Sequence, residues 1–135
     1  MALKTTVKEM VAAANEEIRS IDVEEIKTLL QDDGVQIVDI RDVRELDREG
    51  MIPGALHAPR GMLEFWVDPQ SPYHKEVFAS GKTFVFYCAS AWRSALATKA
   101  VQDMGLEPVA DIKGGFSAWK EAGGDIVERP SRKKD

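Results

Sequence analysis

Cysteine occurs once in these 135 residues, at Cys88. No disulfide can form within such a chain, and a cysteine-rich zinc cluster is excluded. Histidine is almost as scarce: His57 and His74 lack the spacing of a metal-ligand pair. No metal or other cofactor is expected. No apolar run approaches membrane-spanning length, and Lys4, Lys8 and Glu9 interrupt the N-terminus before a signal-peptide core could form. Basic stripes are missing too: 18 Lys and Arg stand against 23 Asp and Glu, a formal net charge of −5. The only basic cluster, at 129–134, reads as a solvated end, so neither nucleic acid nor membrane is an expected partner. A cytoplasmic location is the default expectation, and there a lone cysteine stays a free thiol.

What the chain does have is alternation. Val7, Met10, Val11 and Ala14 mark one face of a first helix. Residues 18–21 read as a short edge strand. Asp22 then stands as an N-cap with Glu25 in the capping-box position, opening a helix predicted to end near Gly34. Residues 35–40 form a strand apolar on both faces, followed by a charged helix over 42–48 that stops at Gly50. Met51, Ile52, Pro53 and Gly54 make a turn, and 55–58 a short strand. Helical pieces are expected at 62–66 and 73–78, separated by a loop around Pro69 and Pro72. A buried strand over 83–87, a helix with apolar residues at 97, 100, 101 and 104, a strand over 108–112 and a closing helix over 116–122 complete the order. This is the pattern of an α/β fold, a central parallel sheet with helices on both faces. A helical extension at 1–17, one domain at 18–127 and a flexible tail at 128–135 are predicted.

The chemistry concentrates where the strand over 83–87 meets the helix after it. Cys88 sits in that turn, Ala89, Ser90, Ala91 and Trp92 follow, and Arg93 closes it. Ligands of open α/β sheets collect at the carboxyl ends of strands. A helix N-terminus and curled backbone N–H groups favour an anion there, and Arg93 adds a fixed charge with a planar donor fork. These influences favour thiolate over thiol, and thiolate is the nucleophile. Asp39 and Arg41, at another strand end, read as a local ion pair supporting the site. Arg60 stands as a substrate contact or a solvated cation, and His57 as a structural histidine.

The stretch Cys88-Ala89-Ser90-Ala91-Trp92-Arg93-Ser94 resembles the active-site loop of the rhodanese family of sulfurtransferases. The similarity extends to Val38-Asp39-Ile40-Arg41, to Ile52-Pro53-Gly54-Ala55 followed by His57 and Arg60, and to Lys113-Gly114-Gly115-Phe116-Ser117-Ala118-Trp119. It implies a rhodanese-like fold in which Cys88 takes a sulfane sulfur from a small donor such as thiosulfate. The persulfide so formed passes the sulfur to a thiol or cyanide, a ping-pong covalent route. Ala89, Ser90, Ala91, Trp92 and Arg93 would hold the anions, Arg60 would contact substrate, and Asp39 and Arg41 would support from behind. The chain departs from the family at Ala91, where glycine is common, and at Met51, where histidine is common. Alanine at a position needing positive φ costs about 1 kcal/mol.

Two rival functions follow from the same residues. Cysteine-dependent phosphatases also flank an N–H cradle with Cys and Arg, but with a loop one residue longer, so the smaller ring here favours sulfur. A non-catalytic regulatory or binding module is the other rival, since fold alone does not settle function. The chain is expected to be a monomer or a homodimer, with the first helix docking internally or across a dimer.

Overall fold

Residues 1–130 are described by a computed structural model, in which helices and strands alternate as their sequence periods require. The helix α1 (Val7–Glu17) leads into the strand β1 (Ser20–Ile21), then α2 (Val23–Leu29) and β2 (Val35–Asp39). After α3 (Val43–Glu49) come β3 (Leu56–His57), a 3-10 turn at Arg60–Met62 and α4 (Leu63–Val67). A second 3-10 turn at Glu76–Ala79 precedes β4 (Thr83–Tyr87), α5 (Trp92–Met104), β5 (Val109–Ile112) and α6 (Gly115–Glu121).

Within the sheet the four strand pairings are parallel, in the order β1-β5-β4-β2-β3, so β4 lies at the centre. Alternation along β4 feeds two cores. Phe84, Phe86 and Cys88 face one cluster with Val38, Leu63 and Val101, closed by α4 and α5. Val85 and Tyr87 face the other with Ile26, Phe116 and Trp119, closed by α2 and α6. Burial on both faces is what a parallel sheet requires. No helix among the described residues is long and apolar enough to cross a membrane.

The first helix docks internally, with Val11 and Ala14 against Ala95 of α5. Its buried face is narrower than the sequence predicts, for Val7 is 52% and Met10 48% exposed. A helix resting on one neighbour buries only a seam. In α5 the buried face is also shifted: Ser94, Ala95, Ala97, Thr98 and Val101 are buried, whereas Met104 is exposed. The sheet covers one side of α5 and α1 another, so small residues replace the expected apolar stripe.

Two local expectations need correcting. Asp22 is the N-cap of α2 but makes no side-chain cap bond, and Glu25 faces Arg19 at 3.4 Å instead. Capping boxes form elsewhere, between Thr6 and Glu9 and between Asp42 and Glu45. The helix α2 also ends at Leu29 rather than near Gly34, where tight turn bonds from Gln31 and Asp32 to Thr28 and Leu29 take over. Beyond α6, Val127 bridges Met51 and Arg129 reaches Asp47 at 2.7 Å. From residue 131 the expected tail lies outside the described residues.

Candidate active site

The strand β4 delivers Cys88 to the carboxyl end of the sheet, 1% exposed, directly before the loop that enters α5. Ala91 is the N-cap of α5 and adopts φ 75°, the only non-glycine residue at positive φ among the described residues. That left-handed step turns the chain back on itself. It lets Ser94 N–H, in the first turn of α5, donate to Cys88 Sγ at 3.3 Å.

From the other side, α6 clamps the loop backbone. Phe116 N–H donates to the Cys88 carbonyl at 2.8 Å and Ser117 N–H to the Ala89 carbonyl at 3.0 Å. The approach demands Gly115, which has φ 62°; a Cβ there would lie 2.6 Å from the Cys88 carbonyl oxygen. Sheet and helix thus fix the thiol loop through its main chain.

Arg93 does not point freely at the thiol. Its Nη1 and Nη2 donate to Glu45 Oε1 and Oε2 of α3 at 2.8 and 3.0 Å, a bidentate fork. The Glu45 hydrogen bonds, with lesser contributions from the Cys88 sulfur, push the Arg93 pKa above its ordinary value. Reciprocally, the hydrogen bond from Arg93 holds the Glu45 carboxyl below the usual range despite partial burial.

Behind the sulfur lies a buried polar chain. Ser94 Oγ donates to Asp111 Oδ2 at 2.9 Å, and Ser20 Oγ donates to Asp111 Oδ1 at 2.6 Å. Burial pushes the Asp111 carboxyl up, against the opposing effect of both hydroxyls. A cleft of about 500 Å³ opens beside the loop, lined by Ser90, Ala91, Trp92, Asp111 and Lys113, with Asn15 from α1. Trp92 is 49% exposed and forms a wall of this cleft rather than core.

Asp39 and Arg41 form the ion pair expected of them. Arg41 Nη2 reaches Asp39 Oδ2 at 2.8 Å and its Nε reaches Oδ1 at 3.0 Å, with both residues fully buried. Nη2 also donates to the Gly50 carbonyl at 2.7 Å, which ties the end of α3 to the sheet. Burial works against the Arg41 charge, but Asp39 outweighs it and raises the pKa. The guanidinium stacks over the Phe116 ring at 4.3 Å. His57, expected to be structural, donates from Nε2 to the Arg41 carbonyl at 2.8 Å. The structure does not bring Arg60 into the loop's hydrogen bonding: its Nη1 donates to Glu64 at 2.7 Å, and it lines a separate groove with Met10 and Leu96.

A family model for the rhodanese-like domain matches residues 22–122. The chain belongs to the rhodanese-like domain family. A sulfurtransferase from Allochromatium vinosum is 32% identical over 111 residues, 82% of this chain and 95% of that one. An uncharacterized Synechocystis protein is 36% identical over 98 residues, covering 73% of this chain but only 50% of its own length. This rhodanese-like chain therefore spans about half of that relative. A solved structure from Rhodopseudomonas palustris, a protein of unknown function described as a possible tyrosine phosphatase, is 51% identical with a TM-score of 0.91, covering 94% and 98% of the two chains. The thiosulfate sulfurtransferase of Pseudomonas aeruginosa, at 24% identity, shares the fold with a TM-score of 0.69 over 83% of this chain and 20% of its own.

The sequence singled out Cys88, Ala91 and Arg93, which share one loop, and Asp39 and Arg41, which pair with each other. It missed Glu45 and Asp111 as neighbours of the thiol loop. Each lies in a different element from Cys88, and Glu45 looks like any exposed helix carboxylate in sequence. Asp111 left one signal, an acid within an otherwise apolar strand.

Proposed function

We propose that this rhodanese-like protein is a sulfurtransferase that carries sulfane sulfur on Cys88. The observation that supports this best is the short Cys88–Arg93 loop, in which the sulfur already accepts Ser94 N–H. The Cys88 thiolate attacks the terminal sulfur of a donor such as thiosulfate. Its S–S bond breaks, and the electron pair leaves with sulfite. The enzyme persulfide is held by the loop and by the start of α5, and an external thiol or cyanide then attacks the outer sulfur and releases the Cys88 thiolate. Ala89, Ser90, Ala91, Trp92 and Arg93 are assigned to binding, and Asp39 and Arg41 to supporting the strand end. Arg60 would join them only after its pair with Glu64 opens. The chemistry is assigned to residues 18–127, with 1–17 as an added helix. It suits a reducing compartment such as the cytoplasm, whether the protein acts as monomer or homodimer.

A phosphatase is the second reading, favoured by the description of the Rhodopseudomonas palustris relative. The four residues between Cys88 and Arg93 make a ring better sized to one sulfur atom than to a tetrahedral phosphoryl group. A regulatory module is the third, and the retention of both Cys88 and Arg93 speaks against it. Intact mass after incubation with thiosulfate separates the three. Sulfur transfer predicts a gain of one sulfur atom, removable by cyanide and absent from Cys88→Ala. Hydrolysis of an aryl phosphate without any sulfur adduct would move the assignment to phosphatase. Neither activity would leave a binding module.

A further inference from the structure

Arg93 is the guanidinium that the proposed sulfur transfer uses to hold its donor, and the following inference rests on that reading. In this protein the fork of Arg93 is already occupied. Glu45 meets both terminal nitrogens, at 2.8 and 3.0 Å. The carboxylate is itself anchored, since its Oε1 also accepts the Asp42 N–H at 3.0 Å in the capping box of α3. Only 18% of the Glu45 side chain is exposed, against 44% for Arg93. Swinging Glu45 away would undo a cap as well as an ion pair.

The charge that a donor meets is correspondingly small. Arg93 is neutralised by Glu45, and Arg41 by Asp39 behind it. On the cleft side, Lys113 shares its space with Asp22 and Asp111. Each further negative charge on a donor thus gains little from Arg93 and is repelled by Glu45. We infer that Glu45 is a specificity-determining residue: by filling the Arg93 fork it turns the site from dianionic thiosulfate toward singly charged organic sulfane-sulfur donors.

Thiosulfate and methanethiosulfonate test this, because they present the same terminal sulfur and differ by one negative charge. With either, the Cys88 thiolate forms an S–S bond to the terminal sulfur. The donor S–S bond breaks and its electron pair leaves, as sulfite from thiosulfate or as methanesulfinate from methanethiosulfonate. Glu45→Gln removes the charge and keeps an acceptor for the Asp42 N–H, since glutamine also serves a capping box.

The measurement is the rate of single sulfur gain on Cys88, by intact mass at low ionic strength, for wild type and Glu45→Gln with each donor. The expected result is that Glu45→Gln speeds loading from thiosulfate by about tenfold relative to methanethiosulfonate, the scale of one charge interaction near a half-exposed guanidinium. That gain should vanish in Glu45→Gln combined with Arg93→Ala, which shows that it runs through the freed fork. Equal responses of the two donors, with Cys88 still gaining sulfur, overturn the role of Glu45 and leave the sulfurtransferase reading intact. No sulfur gain from either donor in any variant overturns both.

Discussion

Gly115 and Cys88 are 27 positions apart in the chain, yet the α-carbon of one lies against the carbonyl of the other. A Cβ at 115 would sit 2.6 Å from the Cys88 oxygen and 2.8 Å from the Ala89 oxygen. The start of α6 is therefore part of the thiol loop's scaffold. Its next two N–H groups hold those same carbonyls at 2.8 and 3.0 Å.

Gly115→Ala should destabilise the fold by about 2–4 kcal/mol, since it combines a left-handed backbone with a clash against main chain that cannot swing aside. Urea denaturation gives the stability. Sulfur loading of Cys88 should fall further than the unfolded fraction accounts for. A midpoint within error of wild type would show that α6 shifts freely from the loop.

Ala91→Gly probes the opposite case. Ala91 holds φ 75° at the N-cap of α5 without a glycine's freedom. Glycine relieves about 1 kcal/mol of strain and returns part of it through the greater entropy of the unfolded chain. Thermal unfolding should show a change between zero and about 1 kcal/mol of stabilisation, with sulfur loading retained. Marked destabilisation would mean that the alanine methyl packs usefully in the loop.

The Asp39–Arg41 pair is buried on both sides, so the two single deletions should be costly. Asp39→Ala strands a guanidinium in the core and is expected to cost about 3–5 kcal/mol. Calorimetry or chemical denaturation measures it. Replacing both partners by apolar residues of similar volume should cost much less than that single change. Equal losses would point to the Gly50 and ring contacts of Arg41 rather than to its charge.

Asp111 and Glu45 should tilt the pH dependence of stability in opposite directions. Burial raises the Asp111 carboxyl pKa, so the folded protein holds that proton more tightly than the unfolded chain. Its contribution is fully present below the ordinary carboxyl value of 3.8 and is lost as pH rises through the folded one. The Glu45 carboxyl is depressed from 4.5, so its contribution is present above that value and is lost as pH falls through the folded one. Unfolding free energies between pH 3 and pH 8 should therefore lose the Asp111 component in Asp111→Asn and the Glu45 component in Glu45→Gln. Identical pH profiles for wild type and Asp111→Asn would remove Asp111 from this account.

The element order and the two-faced sheet were legible because hydrophobic periodicity is written locally. Strand 83–87 is apolar at every position but one, and glycines mark the ends of α3 and α5. The thiol loop was legible for the same reason, all of its residues being consecutive. The capping box was placed wrongly because Asp22 and Asp42 offer the same signature, and only the neighbours decide which carboxylate turns back to its own helix. Glu25 has Arg19 beside it, whereas Glu45 takes both the backbone of Asp42 and the side chain of Arg93.

Read along the chain, the sequence already placed a thiol at a strand–helix junction and set the spacing to its arginine. Both are set by covalent order and by the local periods of strand and helix. The charge state of that junction was decided by tertiary structure. Arg93 reads as a free cation along the chain, and it becomes half of a neutral pair only because the fold brings α3 over the start of α5. Coulomb energy depends on distance through space, and the 48 positions separating Glu45 from Arg93 give no hint of 2.8 Å.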